Sequence, residues 1–186
     1  MHATKIDIPA ETREQVICLL NERLADLIDL HRRAKQAHWN VRGSNFLSLH
    51  KRFDDLAAVL DEHIDAVAER IAALGGIAEG TLSAVTKRTT LAACSLESVS
   101  GHDYLQALST SLATVGRSMR SAVDRADNLA DANTADLFTG VSSDLDKQLW
   151  LLEAHFESDC SSCGCNRRQA IIQSNTNEAL PDVCPN

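Results

Sequence analysis

Residues Phe46 to Gly76 read FLSLHKRFDDLAAVLDEHIDAVAERIAALGG, with no proline in the stretch. Phe46, Leu49, Phe53, Leu56, Leu60, Ile64, Val67, Ile71 and Leu74 follow one another in steps of three and four, which winds them onto one face of an α-helix. The spacing predicts a helix from Asn45 to Leu74, closed by Gly75-Gly76, where glycine takes the left-handed conformation at low cost. A polar stripe runs beside the apolar one. At 100° per residue His50, Asp54, Asp65 and Glu69 lie within about 100° of one another around the axis. A bundle helix meets another surface there rather than open solvent. Asp55, Asp61 and Glu62 read as solvated charges, and His63 faces nearly opposite the stripe.

Three more helices surround this one. The first runs from about Glu11 to Trp39, with Pro9 suited to a first helical turn and Leu20, Leu24, Leu27 and Leu30 as its buried stripe. It ends before Arg42-Gly43-Ser44. A connection from Ile77 to Val99, rich in Thr, Ser and small residues, is long enough to cross a bundle and to hold a short helix around Thr81 to Val85. Ser100 opens the third helix, with Asp103 as its capping-box partner. The fourth starts near Asn133 or Thr134 and runs to about Glu157. The pattern is an up-and-down, all-α four-helix bundle with a long crossover between helices two and three. The bundle domain occupies residues 1–157. A polar tail, residues 158–186, follows and reads as disordered.

Composition agrees with this class. Of 186 residues, 44% are apolar and 4% aromatic, which favours helices over a β-rich fold and suffices for one core. The formal net charge is -8 and no block of Lys or Arg stands out, so composition does not imply DNA binding. No run of about 18 apolar residues offers a membrane span and no leader pattern opens the chain, so a soluble, cytoplasmic protein with no membrane partner is expected. Six cysteines do not form the even framework of a small secreted scaffold: Cys18 and Cys94 stand alone, while Cys160, Cys163, Cys165 and Cys184 crowd the tail.

The polar stripe carries the chemistry. Imidazole and carboxylate together suit iron, zinc or manganese, and few ligands with open positions suit redox iron. Asp54 and Asp65 are about 16 Å apart along one helix, too far to grip one ion from within a single chain. Two copies of the helix, antiparallel about a two-fold axis near Val59 and Leu60, would set Asp54 of one opposite Asp65 of the other and create two equivalent sites. Each would take His50 and Asp54 from one subunit, Asp65 and Glu69 from its partner, and His38 from the end of the first helix. Beside Trp39 near a helix end, His38 can equally serve by hydrogen-bonding a carbonyl.

The stretch Lys35-Gln36-Ala37-His38-Trp39-Asn40-Val41-Arg42-Gly43, then Asn45-Phe46, His50 with Asp54, and Asp65 to Gly76, closely resembles the ferritin-like Dps mini-ferritins. The likeness spans about residues 5 to 157 and includes Thr134-Ala135-Asp136, Asp144-Leu145-Asp146-Lys147 and Trp150. It implies a hollow dodecameric shell that oxidises ferrous iron, preferably with hydrogen peroxide, and stores the ferric product, protecting the cell from oxidative damage. The family's intersubunit ferroxidase site, which takes at most two iron ions, falls on His38, His50 and Asp54 of one chain and Asp65 and Glu69 of the other. Trp39 matches the family tryptophan beside the site, where it either takes up an oxidising equivalent or serves packing. No Glu-x-x-His occurs anywhere, which argues against the single-subunit site of classical ferritins.

Asp127, Asp131 and Asp136 resemble the family's three-fold pore aspartates, whose carboxylates would draw cations inward; acidic residues also favour a helix start for its dipole. Many Dps proteins bind DNA through lysine-rich tails, which would make them nucleoid-associated. Here Lys5 and the pair Arg167-Arg168 are the tails' only basic residues, so a DNA-compacting role is the alternative reading. The motif Cys160-x-x-Cys163-x-Cys165 departs from the family pattern. It suits zinc, iron or copper, with Cys184, His2 or another chain completing the site, and it equally suits labile disulfides. Zinc is also expected to compete at the ferroxidase site, and a zinc-buffering shell without redox turnover is a third reading.

Overall fold

The computed structural model describes residues 1–94 and 100–156. Those residues form α1 (Ala10–Asn40), α2 (Phe46–Ala73), α3 (Leu82–Arg88), α4 (Gly101–Asn128) and α5 (Ala132–Glu153), with no strand among them. Helices α1 and α2 pack as one antiparallel hairpin, α4 and α5 as another, and the crossover with α3 lies against α1. The predicted spans hold to within a few residues, and the short crossover helix is present.

The apolar stripes become the core. Leu49, Phe53, Leu56, Leu60, Val67, Ile71 and Leu74 of α2 are buried, as are Leu20, Leu24, Leu27 and Leu30 of α1, against Leu112, Val115 and Met119 of α4 and Phe138, Val141 and Leu145 of α5. Burying each such side chain contributes about 1.5–3 kcal/mol. Phe46 departs from the expected stripe: it sits in the first turn of α2, beyond the end of the core, and is exposed.

Helix ends explain how the elements stop. The Gly75 amide donates to the Ala72 carbonyl and Gly76 to Ile71, both at 2.9 Å, with Gly75 at φ 88°. This double bond is the Schellman closure, satisfying two carbonyls that α2 would otherwise leave open. The same closure ends α4, where Ala130 donates to Asp127 and Asp131 to Ala126, but the left-handed position is Ala130, at φ 58°. Ser100 and Asp103 form the expected capping box at the start of α4.

The crossover is held by polar residues of α1. Buried Asp26 accepts from the Thr90 amide at 2.7 Å and hydroxyl at 3.0 Å, while Asn21 donates to the Ile77 carbonyl and accepts from the Glu79 amide. These bonds replace the water that loop backbone would otherwise require.

Candidate metal centre

Where the last turn of α1 crosses the first turns of α2, His38 and His50 stack with ring centroids 3.8 Å apart. Each ring bonds to the other residue's backbone: Nδ1 of His38 lies 2.7 Å from the His50 carbonyl, and Nδ1 of His50 lies 2.8 Å from the His38 carbonyl. A carbonyl oxygen only accepts, so both Nδ1 atoms carry the proton. Both rings are thereby held as the tautomer with its lone pair on Nε2, the form a metal ion takes from a neutral histidine. Helix termini leave carbonyls unpaired, and this reciprocal clasp uses two of the carbonyls at the α1–α2 corner.

Asp54 stands one turn beyond His50, exposed, with its Oδ1 3.9 Å from Nδ1 of His38. Its nearest cation is Lys35, whose Nζ donates to Oδ1 at 2.6 Å. That hydrogen bond, above all, holds the Asp54 carboxyl below the usual range, so it is anionic at neutral pH. Lys35 also lies 6.0 Å above the Trp39 ring, which is itself 62% exposed.

Asp65 and Glu69 are exposed further along α2. The structure brings together His38, His50 and Asp54 but sets Asp65 and Glu69 about three to four helical turns away. Among the described residues no group of three or more His, Cys, Asp and Glu side chains stands close enough to hold a metal ion within one chain. His63, set aside on sequence, lies with Nε2 3.1 Å from Oδ2 of Asp144 on α5.

The three aspartates near the α4–α5 corner separate. Asp127 and Asp136 are exposed, whereas Asp131 is buried and caps α5. Its carboxylate accepts from the Thr134 amide at 3.1 Å and hydroxyl at 2.7 Å, and from Nη2 of Arg70 at 2.8 and 2.9 Å. Burial by itself would raise this carboxyl, but the Thr134 and Arg70 hydrogen bonds outweigh it and hold the pKa below its ordinary value. A side chain engaged on every side by α2 and α5 is not available to line a channel, which corrects the pore assignment for Asp131; helix-start chemistry accounts for it. Cys160, Cys163 and Cys165 lie outside the described residues.

Two features of the site were not drawn from sequence: the mutual histidine clasp and the Lys35–Asp54 pair. Lys35 was within reach of a pattern argument, since it lies three residues before His38 and four before Trp39, on one helix face.

Paired helical hairpins with a crossover, and imidazoles beside a carboxylate on facing helices, define the class of ferritin-like bundles. The ferritin-like domain family matches residues 17–159. A relative named DNA protection during starvation protein, from Agrobacterium fabrum, is 45% identical over 84% of this chain and 96% of its own. Among solved structures, Dps from Mycobacterium smegmatis is similar at 31% identity and a TM-score of 0.79, covering 83% of this chain and 93% of that one. DpsA14 from Streptomyces coelicolor is 36% identical with a TM-score of 0.78, covering 82% and 90%. The chain belongs to the Dps family of ferritin-like proteins.

Proposed function

We propose that this chain is a ferroxidase and iron-storage subunit that oxidises Fe(II), with hydrogen peroxide as the preferred oxidant, at sites shared between two copies. The observation that carries this reading is the His38–His50 clasp, which presents two Nε2 lone pairs beside the anionic Asp54. Imidazole and carboxylate donors with open positions suit ferrous iron as substrate. Asp65 and Glu69, too distant to join these three within one chain, complete the set from an antiparallel partner. Exposed Trp39, Phe46 and Leu47 around the same corner supply apolar surface for that partner to cover. Lys35 withdraws from Asp54 as the ferrous ion enters, exchanging one cation for another.

Two ferrous ions each give one electron to one peroxide. The O–O bond breaks, two protons are taken up, and two waters form alongside two ferric ions. Pairing the electrons in this way avoids the hydroxyl radical that a single-electron transfer would release. Exposed Trp39 is placed to give an electron when one ferrous ion is missing. Asp127 and Asp136 are the carboxylates left to draw cations towards an entry channel. Assembly into a dodecameric shell would give the ferric product a cavity.

The test is anaerobic loading with ferrous iron followed by peroxide, reading ferric absorbance. Fast oxidation is expected in the unmodified protein, with at least about a hundredfold loss in the Asp65→Ala, Glu69→Ala double variant. Equal rates would refute the site. A DNA-compacting role finds no supporting feature in a chain of net charge -8.

A further inference from the structure

The family match stops at residue 159, and the next residue is the first of the cysteines Cys160, Cys163 and Cys165. This thiol motif therefore lies beyond the ferritin-like domain. The described chain ends just before it, with His155 and Phe156 following α5.

His155 is held in a defined orientation at that point. Its Nδ1 lies 2.9 Å from the Leu151 carbonyl, so this nitrogen carries the proton and the lone pair is on Nε2, the same ligand tautomer as in the clasp above. It lines a cavity of about 190 Å³ at the end of the bundle, beside His102 at the start of α4. The Phe156 ring meets His102 edge-on at 5.5 Å, which fixes the direction from which the tail departs.

We propose that Cys160, Cys163 and Cys165 together with His155 of the same chain form a zinc site at the foot of α5. Two thiolates two residues apart make the usual chelate of a closed zinc centre, and three thiolates with one imidazole are an established tetrahedral donor set. Soft sulfur donors favour zinc over ferrous iron, whereas the oxygen and nitrogen donors at the α1–α2 corner favour iron. The chain thus sorts its two metals by donor type, and four protein ligands leave the zinc no open position for turnover. Each ion bound displaces the three thiol protons.

Position decides among the candidate fourth ligands. His2 donates its backbone amide to the Gly75 carbonyl at 2.7 Å, at the opposite end of the bundle from His155. The 22 residues of α5 put about 33 Å between those ends. Cys160 lies four residues beyond Phe156 and reaches at most about 14 Å from it, so His2 of the same chain cannot share its ion. His155 is five residues from Cys160 and needs no such reach.

The probe is cobalt(II) added to the full-length, reduced, assembled protein. One ion per chain should give a near-ultraviolet thiolate-to-cobalt charge-transfer band, unchanged in a His38→Ala, Asp54→Ala variant because that site holds no sulfur. Cys163→Ser should abolish the band, and His155→Gln should lower the affinity at least about tenfold and alter the visible bands, with unchanged helical circular dichroism as control. Zinc should displace the cobalt. Absence of the band in the unmodified protein would overturn the proposal. So would His155→Gln leaving affinity untouched while Cys184→Ser lowers it, since the fourth ligand would then be a thiol.

Discussion

At the residue scale the account turns on how few groups create the iron-facing corner. His38 and His50 gain their tautomers from each other's carbonyls, so neither residue's role was legible from its own spacing; the pairing exists only once α1 and α2 cross. Lys35 is the complementary case. Its ammonium occupies Asp54 in the isolated chain, and an exposed pair of this kind is worth up to about 1 kcal/mol. Lys35→Gln should therefore tighten anaerobic ferrous or zinc binding by roughly two- to fivefold in a calorimetric titration. Weaker binding would mean that Lys35 holds Asp54 in place rather than competing for it. Trp39→Phe should leave peroxide-driven oxidation at two-iron loading within about twofold and increase radical escape at sub-stoichiometric iron, read by spin trapping.

At the element scale, period and punctuation made the helices readable, and the stripe from Leu49 to Leu74 is buried as its spacing demands. What escaped was chemistry that depends on neighbours in space. Asn21 and Asp26 lie on the buried side of α1 as polar residues because the crossover returns over them, and nothing local in α1 announces that. Ala130 gave no sign of a left-handed turn, a position where alanine is strained. Ala130→Gly should stabilise the protein by about 0.5–1 kcal/mol, seen as a higher thermal midpoint, with Ala130→Val moving it the other way. Asp131 ties that corner to α2 through Arg70. Asp131→Ala leaves a buried guanidinium without its carboxylate and should cost about 3–5 kcal/mol. Because the folded Asp131 carboxyl sits below its unfolded value, its contribution is complete above about pH 4 and is lost as pH falls through the lower folded value. Acid unfolding of Asp131→Asn should accordingly be flatter below pH 4 than that of the unmodified protein.

For the whole molecule, the single chain is half of a site. The sequence argument reached this from the rise per residue alone: Asp54 and Asp65 are too far apart, and only a symmetric partner brings them together. The exposed Trp39, Phe46 and Leu47 at that corner are what such a partner would cover, and Phe46 broke the predicted stripe because its neighbours lie in another copy rather than in the core. The decisive measurement is complementation between two inactive variants co-expressed as mixed assemblies. One carries His38→Ala and His50→Ala, the other Asp65→Ala and Glu69→Ala. Sharing across a two-fold axis predicts that each variant alone oxidises ferrous iron at background rate, while an equal mixture regains about a quarter of full activity, because half of the dimers are mixed and one of their two sites is intact. If the mixed assemblies stay at background, the five residues do not meet across subunits and the shared site is wrong.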